Sequence, residues 1–168
     1  TRDYIAPENI GASAKDMGKE QDLYALAIII FQLFNNGIHP FSGKLNDSQA
    51  NLDLQERIKK GAYAYGATPS RIQEPSPWSL HHLFPNKLAS IFERVFKKGE
   101  RPEASEWVAL LDSLNDGRTL SRCPKGLHGK TFKKGCGACE LEKLVGNASG
   151  PQTKKKKQSS ESEAAGPW

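Results

Sequence analysis

Asp22-Leu23-Tyr24-Ala25-Leu26-Ala27 opens the most apolar stretch of this chain, and Thr1-Arg2-Asp3-Tyr4-Ile5-Ala6-Pro7-Glu8 precedes it. The twelve residues that follow Asp22 contain one polar interruption, Gln32. A membrane-spanning helix needs about 20 apolar residues, so this shorter stretch predicts a buried helix over 22–36, in the middle of a domain. Asn35-Asn36-Gly37 predicts its end, because Asn and Gly adopt the left-handed conformation that closes a helix.

Three further helices are predicted after this one. Apolar spacing indicates a helix over 48–60 and another over 86–98, and Arg101-Pro102 indicates the start of the last. Residues 62–85 contain four prolines and no sustained periodicity, which predicts an ordered but irregular loop. The fold class expected for this part is therefore mainly α and all-helical.

Charge divides the chain near residue 117. Residues 1–117 hold 13 basic and 15 acidic side chains, whereas residues 118–157 hold 11 basic and 2 acidic ones. A charge shift of this size marks a compositional boundary. We therefore predict a first domain over 1–117, a small module over 118–145, and a disordered basic and polar linker over 146–168.

Ala6-Pro7-Glu8 is one member of an ordered set. Tyr4 lies two residues before it, Asp22 heads the apolar helix, and Arg101-Pro102 follows much later. The set resembles the end of the activation segment and the helical C-lobe of a bacterial-type serine/threonine protein kinase. The resemblance covers residues 1–115 and implies a protein-kinase-like C-lobe there, without the N-lobe and catalytic loop.

The resemblance also implies roles for individual side chains. Glu8 and Arg101 match the partners of a buried ion pair, which costs about 3–5 kcal/mol to break when one partner is removed. Asp22 matches a carboxylate that accepts backbone N–H groups of the catalytic loop, although Asp suits a helix N-cap equally well. Thr1 matches a threonine near the substrate pocket. The motif expected to support the fold comprises Tyr4, Ala6, Pro7, Glu8, Asp22 and Arg101.

The catalytic parts of a kinase are not in these 168 residues. They contain no Gly-rich phosphate loop, no Val-Ala-Ile-Lys-type strand, no His-Arg-Asp loop and no Asp-Phe-Gly. We expect a fragment that is inactive alone and has no catalytic residue. The resemblance implies ATP and Mg²⁺ as cofactors of a longer parent, with an N-lobe and a protein substrate as partners. The alternative is a pseudokinase scaffold.

Cys123, His128, Cys136 and Cys139 follow the spacing Cys-x4-His-x7-Cys-x2-Cys. Three thiolates and one imidazole form the closed tetrahedral ligand set of a structural zinc ion. The spacing predicts a zinc-ribbon-like module, because a segment with so few apolar residues needs a metal to become ordered. A Cys-x-x-Cys redox pair and inert thiols remain open as alternatives. Bacterial kinase-like proteins whose C-lobe runs into a Cys/His-rich tail are similar in arrangement.

Lysines surround the cysteines and recur in the tail, at positions 125, 130, 133, 134 and 154–157. Such a segment can bind nucleic acid or an acidic protein, which would be the role of the tail in a scaffold. Phe132 is the one aromatic residue near the cysteines for base stacking, so a solvated linker is the favoured interpretation. Without a secretory signal or a long apolar stretch, the expectation is a cytoplasmic protein with no membrane partner.

Overall fold

A computed structural model describes residues 2–46, 51–68 and 70–148. These ranges contain five α-helices, four three-residue strands and short 3-10 turns. The elements are α1 Lys19–Phe34, β1 Gly43–Leu45, α2 Leu54–Lys59, β2 Gln73–Pro75, α3 Asn86–Lys98, α4 Ala104–Leu114, β3 Leu120–Arg122, β4 Lys130–Phe132 and α5 Gly137–Ala148. Thr1 and residues 149–168 lie outside the described part. Among the described helices, none combines the length and apolar character that crossing a membrane requires.

Helix α1 contains the predicted apolar run but begins earlier than expected. Its N-cap is Gly18 and its first residue is Lys19, three positions before the predicted start. It ends at Phe34, and Asn36 and Gly37 follow with positive φ angles of 56° and 73°. The predicted stop signal is confirmed, because both residues adopt the left-handed conformation that ends a helix.

The core is built from aromatic rings around Phe31 of α1, which is fully buried. Five rings have centroids within 6.0 Å of its own: Tyr63, Tyr65, Phe84, Phe92 and Phe96. Helix α3 coincides with the predicted range 86–98. Its apolar residues at helical spacing are all buried: Leu88, Ile91, Phe92, Val95 and Phe96. Burial of α1 is one-sided, since Leu33 is 79% exposed. The expectation that α1 lies in the middle of a domain is therefore wrong for that face.

Helix α2 is shorter than the predicted helix over 48–60. It begins only at Leu54, because Asp53 forms a capping box with Glu56. The Asp53 carboxylate accepts from the Glu56 N–H at 2.8 Å, and the Glu56 carboxylate accepts from the Asp53 N–H at 3.0 Å. Both bonds require an extended residue 53, which stops the helix there. The predicted start at Ser48 lies outside the described residues.

Strands β1 and β2 correct the expectation that the first domain is all-helical. They pair antiparallel, with Lys44 opposite Glu74. Strand β2 lies inside the segment 62–85 that was predicted as an irregular loop, and β1 lies earlier in the chain, before α2. Gly43 permits this pairing, since a Cβ there would overlap the carbonyl oxygen of Glu74. Strands of three residues are too short to show an alternating pattern, which is why the sequence did not predict them.

Residues 118–148 form a β-ribbon followed by a helix. Strands β3 and β4 pair antiparallel, with Ser121 opposite Thr131, and α5 follows. No helix was predicted here because the segment is rich in Gly and Lys, although Leu141, Leu144 and Val145 have helical spacing. The tail predicted from Gly146 begins inside α5, which continues to Ala148.

His39 is a buried titratable group with a defined tautomer. Its ring is 6% exposed, Nε2 lies 2.9 Å from the Asp3 carbonyl oxygen, and Nδ1 accepts from the Phe41 N–H at 3.2 Å. Nε2 therefore donates and Nδ1 carries the lone pair. Burial lowers the pKa of His39 to about 4, well below the usual value for histidine.

We expect His39 to make the domain less stable in acid. His39 is protonated near pH 6.5 in the unfolded chain but only near pH 4 in the folded chain. The contribution of neutral His39 to the free energy of unfolding is therefore fully present above pH 6.5 and is lost as the pH falls toward 4. The expected loss between pH 7.5 and 4.5 is about 2.5 kcal/mol. Urea denaturation of the wild type and of His39→Gln at both pH values measures it. An equal loss in both proteins would contradict the prediction.

Candidate functional site

The β3–β4 ribbon and the start of α5 bring four metal-binding side chains together. Cys123 directly follows β3 and His128 precedes β4, so the ribbon places them at one end. Gly126 turns the connecting loop with a φ of 70°, which glycine adopts without strain. Cys136 precedes α5 and Cys139 lies in its first turn. The loop between the two strands and the start of α5 thus converge on one point.

The four ligand atoms have the spacing of a tetrahedral metal site. Nδ1 of His128 lies 3.4 Å from the sulfur of Cys123, 3.5 Å from that of Cys136 and 3.4 Å from that of Cys139. The sulfurs of Cys123 and Cys139 are 3.5 Å apart, and all four atoms lie within 4.8 Å of one another. Zinc bond lengths of about 2.3 Å to sulfur and 2.0 Å to nitrogen predict tetrahedron edges of about 3.5 Å between nitrogen and sulfur and about 3.8 Å between two sulfurs. The Cys3His group is therefore compatible with zinc.

The site holds thiols of different acidity. Burial raises the pKa of Cys139 to about 12, and the nearby sulfurs of Cys123 and Cys136 act in the same direction. Burial also opposes ionisation of Cys123, but hydrogen bonds from His128 and from the Lys125 N–H outweigh it and lower the pKa to about 6. Without metal, the cluster would hold thiolate and thiol together. Binding a metal must therefore release protons from the site.

The geometry bears on the redox alternative. The three cysteines are free and their side chains are buried. Cys136 and Cys139, which form the Cys-x-x-Cys pair, are not joined by a disulfide bond. All three sulfurs face the same imidazole nitrogen, an arrangement that a Cys-x-x-Cys redox pair does not need and a tetrahedral metal site does.

Glu142 is a residue of this site that sequence reasoning missed. One carboxylate oxygen lies 3.2 Å from Nε2 of His128, and the other accepts from Nζ of Lys125 at 3.3 Å. The Glu142 carboxylate raises the pKa of Lys125, and negative charge on Cys139 and Cys123 acts in the same direction. The signal for Glu142 was its position three residues after Cys139, which is informative only once α5 is known.

The module that contains the Cys3His group packs against the helical domain. Lys134 donates to the Phe84 carbonyl oxygen at 2.6 Å, and Phe132 stacks on Phe34 with ring centroids 5.8 Å apart. His82, one of the two loop histidines, lies 2.6 Å from the Glu140 carboxylate. The fit is close, since a Cβ on Gly137 would come within 2.8 Å of a Leu80 methyl carbon. The two parts of the chain therefore share an interface.

Two glutamine side chains of α1, Gln21 and Gln32, hydrogen-bond to the segment that precedes this helix. Gln21 donates to the Tyr4 carbonyl oxygen at 2.7 Å and accepts from the Ala6 N–H at 2.9 Å. The Tyr4 hydroxyl donates to Gln32 at 2.8 Å. Ala6 is fully buried, and Pro7 begins a 3-10 turn that contains Glu8. The sequence did not single out Gln21, because a glutamine one residue before Asp22 has no distinctive pattern.

Glu8 and Arg101 meet although 93 residues separate them in the chain. Nη2 of Arg101 lies 2.5 Å from a Glu8 carboxylate oxygen, and the guanidinium carbon lies 4.8 Å from the centre of the buried Tyr24 ring. The side chain of Arg101 is 12% exposed, whereas that of Glu8 is 51% exposed. The expectation of a buried ion pair is corrected by this exposure, because water solvates the Glu8 carboxylate.

Asp22 does not occupy the N-cap position of α1. It is exposed in the first turn of α1 and has no partner among the described residues. The N-cap position belongs to Gly18, so the N-cap alternative is wrong. Asp22 as an acceptor for a catalytic loop stays a prediction, and Thr1 lies outside the described residues.

We expect the Glu8–Arg101 pair to contribute about 1 kcal/mol, well below the 3–5 kcal/mol of a fully buried pair, because half of the Glu8 side chain is in water. A double-mutant cycle with Glu8→Gln and Arg101→Met, followed by urea denaturation, measures the coupling. The matched control is the exposed pair Lys19–Glu103, 2.6 Å apart, for which less than about 0.5 kcal/mol is expected. Equal coupling in both pairs would contradict the prediction.

Comparison with known proteins finds similarity to proteins named as protein kinases. It is 32% identical over 111 residues to protein kinase YegI of Escherichia coli (strain K12), a match that covers 62% of this chain and 17% of the relative. Protein kinase YegI of Escherichia coli O157:H7 is 32% identical over 108 residues, which covers 61% of this chain and 16% of that protein. The chain thus spans about a sixth of the length of the curated relatives it matches. No protein-family model and no solved structure matches it.

Proposed function

We propose that this chain contributes a C-lobe and a structural zinc module to a serine/threonine protein kinase. The Glu8–Arg101 contact carries the proposal, since a 2.5 Å pair joins the two positions that the kinase resemblance singles out. The 32% identity over 111 residues to a protein named protein kinase supports it. The parent would transfer phosphate from ATP to protein Ser or Thr, with groups outside these 168 residues holding ATP and Mg²⁺.

Zinc in this proposal is structural. Cys123, His128, Cys136 and Cys139 would fill all four tetrahedral positions, which leaves no open position for a reacting water molecule. By ordering the module, they would stabilise the helical domain through packing, because the module contacts Phe34 and Phe84 of that domain. The ion would thus fix the module in its contact with α1 and the loop before α3.

The scaffold alternative is favoured by the charge of the module. Residues 118–148 contain seven basic and two acidic side chains, a surface suited to nucleic acid or an acidic protein. A zinc ion with three thiolates and a neutral histidine has a net charge of −1, so part of the basic excess serves to neutralise the site. The proposed kinase function therefore does not depend on a partner at the basic surface.

A phosphate-transfer assay separates the two candidates. The complete reading frame that contains this chain is expressed and incubated with γ-labelled ATP, Mg²⁺ and casein, with the 168-residue chain as the control. Label on Ser or Thr with the complete protein alone is the expected result. No label with the folded complete protein, together with salt-sensitive binding of a labelled RNA oligonucleotide, would replace the kinase with the scaffold.

A further inference from the structure

The imidazole of His128 has different partners at its two nitrogens. Nδ1 faces the sulfurs of Cys123, Cys136 and Cys139 at 3.4–3.5 Å. Nε2 faces a carboxylate oxygen of Glu142 at 3.2 Å. The side chain of His128 is 26% exposed, so the ring is mostly enclosed by these partners. Nδ1 is therefore placed toward the sulfurs, and Nε2 is placed toward the Glu142 carboxylate.

Helix α5 provides both a ligand and the carboxylate. Cys139 and Glu142 are three residues apart on α5, a spacing that places two side chains on the same face of a helix. Glu140 is also on α5 but contacts His82 of the helical domain, 2.6 Å from its Nε2. The two glutamates of one helix thus have separate partners.

Lys125 holds the other oxygen of Glu142. Its Nζ lies 3.3 Å from Oε2, while Oε1 faces His128. Lys125 and His128 are in the same loop between β3 and β4, so the carboxylate bridges two points of that loop. A carboxylate held at both oxygens has less freedom to rotate away from the imidazole.

A neutral imidazole has one N–H group and one lone pair. A carboxylate beside Nε2 favours the tautomer with the proton on Nε2, and this leaves the lone pair on Nδ1, the nitrogen that faces the sulfurs. Negative charge on the far side of the ring also makes the ligating nitrogen a stronger donor.

We propose that Glu142 is the positioning residue that directs His128 to bind metal through Nδ1, with Lys125 holding the carboxylate in place. The inference rests on the proposed zinc site and adds to it the tautomer and the residue that selects it. It concerns metal affinity and ligand geometry, so its test does not depend on phosphate transfer.

The full chain is loaded with Zn²⁺ alone, and affinity is measured by competition with a chromophoric chelator. Glu142→Ala is expected to weaken zinc binding about 10–100-fold, the usual effect of losing such an outer contact. Glu142→Gln keeps an acceptor oxygen without the charge and is expected to recover part of the loss. Glu140→Gln, on the same helix, is the matched control and is expected to stay within about twofold of the wild type.

Long-range ¹H–¹⁵N correlation spectra of the zinc-loaded, ¹⁵N-histidine-labelled protein report the tautomer directly. The expected result for His128 is a metal-bound Nδ1 and a protonated Nε2. A metal-bound Nε2, or Glu142→Ala and Glu140→Gln proteins with equal affinity, would overturn the role of Glu142 while leaving the zinc site intact. A wild-type chain that takes up no zinc would instead overturn the proposed zinc module and this inference with it.

Discussion

Replacing Cys136 with serine is expected to abolish stable zinc binding and to disorder residues 118–148. Loss of an outer contact already weakens metal sites about 10–100-fold, so loss of a ligand should cost at least about 100-fold. The module cannot compensate from its own core. Among the described residues, its separate buried cluster consists of Cys123, Cys136 and Cys139. Without the ion, three buried thiols remain where a core should be, because Phe132 packs against the helical domain instead.

Loss of the zinc ion is expected to perturb the helical domain at its interface with the module, but not to unfold it. Phe34, Leu80 and Leu83 line a groove of about 350 Å³ against the module and would become more exposed. Helix α3 packs on the aromatic core and should stay folded. Zinc would then order one part of the chain and cover an apolar face of the other.

Amide hydrogen exchange with and without zinc measures this pattern. Fast exchange in 118–148, moderately faster exchange around Leu80 and unchanged exchange in α3 are expected for Cys136→Ser. Ala138→Ser is the matched control, because it introduces a serine at an exposed position in the same turn, between Cys136 and Cys139. A Cys136→Ser protein that protects the module as well as the control does would show that the fold of the module does not need the ion.

The sequence was sufficient to predict the four residues of the Cys3His group, because ligand chemistry restricts both residue type and spacing. It was not sufficient to predict Glu142, since a glutamate becomes informative only when its helix is known. Helix α5 was itself missed because the Gly- and Lys-rich composition of its segment outweighed the short helical spacing of Leu141, Leu144 and Val145.

In the helical domain, the sequence predicted what depends on local pattern. Helix α3 shows five apolar residues at helical spacing, and its bounds were predicted correctly. Gln21, which holds Tyr4 and Ala6 against α1, could not be predicted because its partners depend on how distant backbone segments meet. The exposure of Glu8 depends on the same tertiary arrangement, and the sequence pattern of an ion pair does not reveal it.

The apolar run of α1 hides a further difference that only the fold reveals. Phe31 and Leu33 stand on either side of Gln32 in the same apolar run, and both are strongly apolar residues. In the structure, Phe31 is fully buried among five rings, while Leu33 is 79% exposed. The distance of Phe31 from its nearest ring neighbour, Phe92, is 4.9 Å between centroids, and the two rings meet edge to face.

Phe31→Ala is therefore expected to lower the free energy of unfolding by about 3–5 kcal/mol, because it removes a ring from the centre of a packed aromatic core and leaves a cavity. Leu33→Ala on the same helix is expected to change it by less than about 0.5 kcal/mol, since an exposed side chain forfeits little contact. Urea denaturation of both zinc-loaded proteins, followed by circular dichroism, measures the difference. Domains of this size are stable by about 5–15 kcal/mol, so Phe31→Ala should shift the midpoint strongly or leave the domain partly unfolded. Equal effects of the two substitutions would mean that the core is not centred on Phe31, and the packing of α1 against α3 would have to be reassigned.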